Sequence, residues 1–372
     1  MKNGWKALPF EKCIEGVTYT KKIQRKEFLD EGAYPVISQE EAFINGYWNN
    51  EADLFRVTTP LVVFGDHTRV LKYVDFDFVL GADGVKLLRP REFLVPKFFF
   101  YQLQTAAVDS LGYARHYRLL KEVEITFPGR SEQSRIVGIL DETLEDVATA
   151  RANAEKNLRN ARALFDSHLQ SVFTQRGKGW AVKSISEVAT HSLGKMLDKA
   201  KNKGELKPYL RNLNVRWFTF DLSDLREMRF LPEESSRCTA VKGDVLICEG
   251  GYPGRAAVWD EDYPIYFQKA LHRVRFEEPD QGRWLLYYLY AQDRSGELKQ
   301  HFSGAGIQHL TGEALARFEL PLPPLVELRH ALARFEDLYV ETLRLEGIYQ
   351  KKCSALETLK KSLLHQAFTG NL

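Results

Sequence analysis

The sequence predicts an α+β fold with two pseudo-twofold-related globular α/β domains, separated by an antiparallel coiled coil of two long helices. Two observations lead to this prediction. Residues 127–175 recur without a gap as residues 322–370, and both copies have helical periodicity and matching ends. The regions that precede them, 1–127 and 177–321, show the same order of strand-like and helical patterns. A repeat with so long a period indicates two whole modules in tandem.

Each domain is predicted from the same series of patterns. A Gly-Trp pair opens it, then come an apolar run typical of a buried strand, a second strand-like run and an aromatic helix. Such a mixture predicts an α/β domain of ordinary size. In the first domain these patterns lie at 4–5, 61–64, 85–88 and 96–104. In the second domain they lie at 179–180, 245–248, 271–274 and 283–292.

The long helices are predicted over 128–176 and 322–372. Apolar side chains recur on each at steps of three and four residues, which is typical of a coiled-coil seam. At ~1.5 Å per residue, some forty residues make a rod of roughly 60 Å. Because a rod cannot bury its apolar stripe alone, we expect the two helices to pair. The seam is assigned to Leu140, Leu144, Val147, Leu158 and Phe165 on the first helix and to Phe335, Leu338, Leu345, Leu356 and Leu363 on the second.

Composition favours a cytoplasmic protein. The 372 residues, 44% of them hydrophobic, are enough for two cores. No run approaches the ~18 consecutive apolar residues of a membrane helix, and the first residues lead into no signal-like segment. The four cysteines, Cys13, Cys238, Cys248 and Cys353, lack the spacing of a metal site or a disulfide framework. We therefore expect free thiols, no metal and no membrane partner.

Positive charge is concentrated rather than general. The net charge is only +2, yet seven lysines and arginines lie between Lys195 and Arg216, against Asp198 and Glu205. Cations that hold phosphates, beside amides and aromatic rings that meet base edges, are typical of a surface that reads duplex DNA. A solvated lysine-rich loop is the alternative for this segment.

Searches for catalytic motifs give little. The chain has no phosphate-binding GxxxxGK[ST] loop, no GxGxxG after a strand and no HExxH. One pattern resembles the acidic metal ligands and lysine of restriction nucleases, namely Asp280 followed by Glu297 and Lys299. Such a pattern arises often by chance in a chain with 27% charged residues. We therefore expect no catalytic residues in this chain.

The residues also carry a resemblance to a known family. Beside the alternating layout, the distinctive segments are EQSRIV at 132–137, LDE at 140–142 and the ending LKKSLLHQAFTG at 359–370. Together they resemble the specificity subunit of type I restriction-modification systems, over the whole chain. In the second domain, YLRNLN at 209–214 and EGGYPGR at 249–255 are similar to elements of that family's target recognition domains.

The first domain departs from that wording, with ISQ at 37–39 and FGDHTR at 64–69. The resemblance implies a subunit without enzymatic activity, whose two target recognition domains each read half of a bipartite target in double-stranded DNA. Its helices would set the gap. It also implies docking of two modification methyltransferase subunits and, in the full complex, of restriction/translocase subunits. No cofactor is expected in this chain; S-adenosylmethionine, ATP and Mg belong to the partner subunits.

Three alternatives remain at this stage. The chain is the specificity subunit of a related type IIB or IIG-like restriction-modification enzyme, a nuclease that uses Glu297 and Lys299, or a scaffold that binds proteins and no DNA. The identity of the partner chains separates the first from a type I subunit. Cleavage of DNA with magnesium alone would indicate the nuclease. DNA binding that does not weaken as the salt concentration rises would indicate the protein scaffold.

Base contacts are expected from loop and strand-end positions whose side chains match base edges. Ordinary surface or turn chemistry is the alternative at each of them. In the first domain the candidates are Gln39, Glu40, Asn45, Tyr47, His67, Arg69, Tyr113, Arg115 and His116. In the second domain they are Lys195, Tyr209, Arg211, Asn212, Asn214, Glu249, Tyr252, Arg255, Gln268, Lys269, Gln308 and His309.

Overall fold

The computed structural model describes residues 4–106, 112, 114–198, 200 and 202–372. The chain divides into two compact units, unit 1 (Met1–Glu155 and Gln350–Leu372) and unit 2 (Lys156–Tyr349). The division falls inside both long helices, α4 (Arg130–Thr174) and α9 (Leu325–Thr369). Each unit therefore contains a segment of each long helix, whereas the sequence placed domain boundaries where the helices begin.

Unit 1 is built from two sheets and a short antiparallel pair. Its strands are β1 (Lys6–Pro9), β2 (Ile14–Glu15), β3 (Lys22–Ile23), β4 (Tyr34–Ile37), β5 (Gly46–Trp48), β6 (Leu54–Phe55), β7 (Leu61–Gly65), β8 (Leu71–Val74), β9 (Phe78–Gly81), β10 (Val85–Pro90) and β11 (Glu124–Phe127). Its short helices are α1 (Phe10–Cys13), α2 (Pro96–Thr105) and α3 (Tyr117–Leu120). The sheet orders are β2-β10-β7-β8 and β3-β9-β4-β5 with β6 on β9, and β1 pairs with β11.

Unit 2 repeats this plan. Its strands are β12 (Ala181–Ser184), β13 (Ala189–Leu193), β14 (Glu205–Leu210), β15 (Val215–Arg216), β16 (Thr219–Phe220), β17 (Arg226–Phe230), β18 (Thr239–Ala240), β19 (Val245–Cys248), β20 (Ala256–Val258), β21 (Ile265–Phe267), β22 (Leu271–Phe276) and β23 (Glu319–Leu322). Its short helices are α5 (Ile185–Val188), α6 (Ser235–Cys238), α7 (Pro279–Ser295) and α8 (Gly312–Arg317). The sheet orders are β13-β22-β19-β20 and β17-β14-β21-β18, with β12 on β23 and β15 on β16.

Strand β7 of unit 1 and strand β19 of unit 2 are the central strands, and each is covered on both faces. In β7, Val62 and Phe64 pack into the core with helix α2, whereas Leu61 and Val63 pack with the second sheet. In β19, Val245 and Ile247 face the core with α7, and Leu246 and Cys248 face the other way. A strand that is covered on both faces reads as a continuous apolar run, which is why the sequence revealed both strands.

The two long helices pair in opposite directions within each unit. In unit 1, Ile136 and Leu140 of α4 share a core with Leu364 and Ala367 of α9. In unit 2, Phe165 and Leu169 share a core with Leu332 and Phe335. Ion pairs flank the seams, Arg151 to Glu357 at 2.7 Å in unit 1 and Arg162 to Glu346 at 2.6 Å in unit 2. The predicted α+β fold with two domains and long paired helices is confirmed.

The end of each long helix is fixed by an aromatic contact. Phe173 of α4 meets Trp284 of α7 with ring centroids 4.9 Å apart, in unit 2. Phe368 of α9 meets Phe98 of α2 with centroids 5.1 Å apart, in unit 1. These phenylalanines occupy the same position in the two copies of the repeat. Each copy therefore ends on the short helix that covers a central sheet.

A second contact ties each short helix to a long helix. Lys97 of α2 pairs with Asp141 of α4 at 2.8 Å, and Tyr101 donates to the same carboxylate at 2.6 Å. In unit 2, Arg283 of α7 pairs with Glu336 of α9 at 3.2 Å. Asp141 and Glu336 are again equivalent positions of the repeat. Charge and aromatic packing together hold the short helices in register with the long ones.

The seam residues differ in how deeply they are buried. Buried are Leu140, Val147, Phe165 and Phe335; partly buried are Leu144, Leu158, Leu338, Leu345, Leu356 and Leu363. Thr342, which interrupts the apolar pattern, is 6% exposed. Its hydroxyl can be buried at low cost because it donates to the carbonyl of Leu338 at 2.8 Å. Leu359 is 45% exposed. An α-helix turns every 3.6 residues rather than 3.5, so a strict seven-residue pattern drifts off the contact face by its last turns.

We expect Phe173→Ala to lower the free energy of unfolding of unit 2 by about 3–5 kcal/mol, because it empties an aromatic site in a packed core. The measurement is urea unfolding followed by tryptophan fluorescence. Leu164→Ala is the matched control, since Leu164 lies on the same helix and is 62% exposed. It should change the unfolding free energy by less than about 0.5 kcal/mol. Equal effects of the two substitutions would contradict the stabilising role assigned to the contact between Phe173 and Trp284.

Candidate nucleic-acid interface

In unit 2, three segments meet the loop that follows the central strand β19 and begins with Glu249. The backbone nitrogen of Glu249 donates to the carbonyl of Ala270 at 2.9 Å, and its carbonyl accepts from the nitrogen of Leu310 at 2.8 Å. The side chain of Asn212 donates to the carbonyl of Gly250 at 3.0 Å. The loops after β14 and β19, the turn before β22 and the segment before α8 therefore meet at one place, which we call the loop cluster of unit 2.

Unit 1 contains the same arrangement around Asp66, which follows β7. Its nitrogen donates to the carbonyl of Gly84 at 2.7 Å, and its carbonyl accepts from the nitrogen of His116 at 2.8 Å. The amide oxygen of Gln39 accepts from the backbone nitrogen of His67 at 3.2 Å. Both backbone hydrogen bonds of the unit 2 cluster thus have counterparts in a loop cluster of unit 1. The amide side chain of the neighbouring loop contacts the same turn in each unit, but it donates in unit 2 and accepts in unit 1.

Glycine is required where these loops approach closely. Gly251 has φ +78°, and a Cβ there would lie 2.5 Å from the amide nitrogen of Asn212. Gly84 has φ +75°, and a Cβ there would lie 2.7 Å from the amide oxygen of Gln39. Both positions combine a left-handed backbone with contact to the amide side chain of the neighbouring loop, and only glycine satisfies both conditions cheaply.

A neutral histidine supports the loop before α8. Burial lowers the pKa of His272 to about 4, so its imidazole carries no charge near pH 7. Its Nε2 lies 2.8 Å from the carbonyl of Leu310, to which the neutral ring can donate. Ser303 and His309 exchange two backbone hydrogen bonds at 2.9 and 2.8 Å. The tip of this loop, with Gln308, is thereby presented to solvent on a fixed base.

Several candidate side chains of unit 2 reach the surface of its loop cluster. Tyr252 is exposed, stacks under the guanidinium of Arg255 at 5.0 Å and donates to Asp293 at 3.3 Å. Lys269 and Gln308 are exposed, and Glu249 is half-buried with its backbone alone engaged in the scaffold. Asn212, Gln268 and His309 are also partly exposed. Carboxylate, amide and cationic groups of this kind match cytosine, adenine and guanine edges.

Four candidates of unit 2 are instead committed to the fold. Lys195 is buried and pairs with Glu234 at 2.5 Å. Arg211 is buried, and its guanidinium bonds to Asp224 at 2.6 Å. Since these cations are already neutralised, they are not placed to meet phosphates or bases. We assign them a structural role in place of the predicted contact with DNA.

Asn214 and Tyr209 are the other two. Asn214 is 2% exposed; its oxygen accepts from the nitrogen of Arg211, and its amide group donates to the carbonyls of Asp221 and Asp224. Tyr209 is buried in a small core. Within the basic segment, Lys199 and Lys201 lie outside the described residues.

In unit 1 the candidates divide in the same way. Asn45 accepts hydrogen bonds from Ser38 and Lys72 and donates to a carbonyl, and His116 is fully buried with Nδ1 2.9 Å from the carbonyl of Asp66. We assign both a structural role. The remaining candidates are Gln39 in the cluster, Glu40 paired with Arg25 at 3.2 Å, partly exposed Tyr47 and His67, and exposed Arg69 and Arg115. Tyr113 lies outside the described residues.

The nuclease-like pattern is not assembled into a site. Asp280 begins helix α7 and pairs with Arg329 at 2.7 Å. Glu297 follows the end of this 17-residue helix, which places it roughly 25 Å away along the helix axis. Among the described residues, no group of three or more histidine, cysteine, aspartate or glutamate side chains could hold a metal ion.

Sequence reasoning missed two parts of this region. Asp66 was not singled out, although it follows a buried apolar run just as Glu249 does. Lys72 was also missed, although it shares the inward face of β8 with Val74, where alternation places an apolar residue. A lysine on the inward face of a strand was the available signal.

Comparison with known proteins bears on this arrangement. A family model described as "Type I restriction modification DNA specificity domain" matches residues 177–351, a range that contains the loop cluster of unit 2. The resemblance to type I specificity subunits is confirmed. The specificity subunit of the type I restriction enzyme EcoR124I/EcoR124II from Escherichia coli is 28% identical over 151 residues. That match covers 37% of this chain and 37% of the relative.

Solved structures share the fold over the whole chain. One is a chain of a type I R-M system studied for its complex assembly and conformational transition; it has a TM-score of 0.73 at 19% identity, and the match covers 100% of this chain and 99% of that one. Another is the HsdS subunit from Thermoanaerobacter tengcongensis, with a TM-score of 0.56 at 19% identity and coverage of 100% and 98%. Separately, the described helices include none that is both long and apolar enough to cross a membrane.

The structural role of Asn214 leads to a stability prediction. Asn214→Ala should lower the free energy of unfolding by about 1–3 kcal/mol, because buried backbone groups lose their hydrogen-bond partner. Thermal or urea unfolding measures the effect. Gln308→Ala, at an exposed candidate position of the same unit, should change stability by less than about 0.5 kcal/mol. If Asn214→Ala left stability unchanged, our assignment of that side chain to the fold would be wrong.

Proposed function

We propose that this chain is the sequence-specific DNA-binding subunit of a type I restriction-modification complex and has no catalytic activity of its own. Each loop cluster reads one half of a bipartite target in double-stranded DNA. The observation that carries this proposal is the duplicated backbone scaffold around Asp66 and Glu249. Equal scaffolds with different side chains suit two half-sites of different sequence, because direct readout depends on side-chain chemistry at fixed positions.

The long helices set the gap between the half-sites. Support comes from the chain path, since α4 and α9 each contribute one segment to unit 1 and one to unit 2. From Arg151 to Arg162 and from Glu357 to Glu346, the ion-pair partners advance equally and in opposite directions. Paired helices are stiff, and half-sites about one helical turn apart, ~34 Å, lie within their length.

Methyltransferase subunits supply the chemistry. We expect two of them to dock on this chain, with restriction/translocase subunits in the full complex. Exposed apolar side chains of α9, Val340 and Leu343 among them, offer the kind of surface that a partner covers. S-adenosylmethionine, ATP and Mg are assigned to these partners, and the complex acts in the cytoplasm. The relative named as a type I specificity subunit supports the assignment.

The proposal is tested by mapping methylated adenines in DNA that has been exposed to this chain with its methyltransferase. The expected result is methylation at a single bipartite sequence. Affinity for that sequence should fall steeply with salt, since each neutralised phosphate releases a counterion. DNA retention that ignores salt would indicate a protein scaffold, and cleavage by this chain with magnesium alone would indicate a nuclease. Either result contradicts the proposal.

Removing one heptad from each helix tests the gap. In the sequence, residues 152–158 of α4 lie between Arg151 and Arg162, and residues 350–356 of α9 lie between Glu346 and Glu357, the residues of the two ion pairs. Their joint deletion shortens the helices by about 10 Å, so the gap in the methylated target should contract by roughly three base pairs. Both half-site sequences should be retained. An unchanged gap would contradict the role assigned to the helices.

A further inference from the structure

Lys72 is a buried cation whose hydrogen bonds all go to one loop. It lies on β8, opposite Val63 of the central strand β7, and its side chain is almost completely covered at 3% exposure. The ammonium donates to the carbonyl of Ala42, to the carbonyl of Phe43 at 3.3 Å and to the amide oxygen of Asn45 at 3.0 Å. Three donors thus meet three acceptors, none of which is a carboxylate.

The fold of the sheet does not require a cation at this position. Lys72 pairs across the sheet with Val63 of β7, and the equivalent residue of unit 2 is Ala257, which pairs with Leu246 of β19. Ala257 is fully buried and apolar. A buried ammonium is costly without a carboxylate partner. The reason for a lysine at position 72 is therefore to be sought outside the sheet.

The loops above the two positions explain the difference. In both units an asparagine oxygen accepts from the backbone nitrogen that begins the loop, Asn45 from Ser38 at 2.8 Å and Asn214 from Arg211 at 2.9 Å. The asparagine lies three residues along the loop in unit 2 but seven in unit 1. The longer loop of unit 1 is supported from β8 by the Lys72 ammonium, which bonds to three acceptors at its far end.

The supported loop carries side chains that suit base edges. It starts at Gln39, whose amide oxygen is bound in the loop cluster. Glu41, Phe43 and Ile44 follow and are exposed. A carboxylate accepts a hydrogen bond from the amino group of cytosine, and apolar side chains contact the methyl group of thymine.

We propose that Lys72 is a positioning residue for sequence reading by unit 1, and that its buried ammonium clamps residues 42–45 so that the loop 39–44 meets the bases of one half-site. This inference rests on the proposed function. Ala257 at the equivalent position of unit 2 has no group that can donate, and the loop there is held instead by Arg255, whose guanidinium donates to the carbonyl of Asn212 at 3.1 Å. The two half-sites of one target therefore serve as test and internal control in the same molecule.

The clamp depends on the charge of Lys72. Burial lowers the pKa of this lysine to about 8, opposed by the charge of Glu40, which itself pairs with Arg25 at 3.2 Å. Above that pH the amine keeps two donors and presents a lone pair to the third acceptor, so one loop contact is lost. The stability of the whole fold responds to pH in the opposite direction from the loop contact. The folded state binds this proton less tightly than the unfolded state, so stability from this group rises between pH 8 and the ordinary lysine pKa.

The first arm of the test uses Lys72→Met in the complete complex with methyltransferase subunits. Binding is measured for the methylated target and for duplexes with one base pair changed in either half-site. For the half-site read by unit 1, the ratio of dissociation constants should shrink about tenfold, the discrimination of a good base contact. For the other half-site it should not change. Lys12→Met, at an exposed lysine of α1, should affect neither ratio.

The second arm is the pH profile of the unsubstituted protein. Discrimination at the unit 1 half-site should fall as pH rises from 7 to 9, while that at the other half-site and the melting temperature do not fall with it. Lys72→Met should abolish the pH response. If Lys72→Met lowered the melting temperature but left the pH dependence of discrimination unchanged, Lys72 would serve folding alone. That result would overturn the inference. Failure to bind any bipartite target would instead overturn the proposed function.

Discussion

A long amphipathic helix cannot bury its apolar stripe by itself, and the rest of this structure depends on how that constraint is met. Each helix pairs with the opposite end of the other helix, and each ends on a phenylalanine that packs against a short helix. Phe173 contacts Trp284, and Phe368 contacts Phe98. The short helices cover the central strands, and the central strands carry Asp66 and Glu249. The position of each loop cluster within its unit therefore follows from helix packing.

In the loop clusters, the backbone forms the scaffold and the exposed side chains are largely free of it. Asp66 and Glu249 hold neighbouring loops through their backbone nitrogen and carbonyl. Backbone groups are the same in every residue, so this scaffold survives substitution of the side chains around it. The residue type is restricted at close approaches such as Gly84 and Gly251 and at side chains that hold a loop, such as Asn212 and His272. The exposed side chains of the loops can therefore differ between the two units while the backbone hydrogen bonds stay the same.

The sequence predicted what local periodicity determines and missed what long-range pairing determines. Strands β7 and β19 were visible as apolar runs, and the long helices were visible through their repeat. The burial of Lys195 was not, because its partner Glu234 is distant in the chain and belongs to no pattern. The same holds for Lys72, whose acceptors are mostly backbone carbonyls, which every sequence possesses. Residue type alone therefore could not separate structural cations from those that face solvent.

The distribution of neutralised charge bears on where affinity comes from. In the basic segment of unit 2, Lys207 pairs with Glu205 at 2.8 Å and Arg216 with Asp221 at 3.7 Å, in addition to the buried pairs of Lys195 and Arg211. Contacts between cations and phosphates dominate the affinity of proteins for DNA. The buried cations Lys195 and Arg211 are committed to their carboxylates, whereas exposed ion pairs are weak and can exchange a carboxylate for another anion. Among the described residues of this segment, the cations that remain accessible to an anion such as phosphate are therefore the solvent-exposed ones, Lys203 and Arg216 among them.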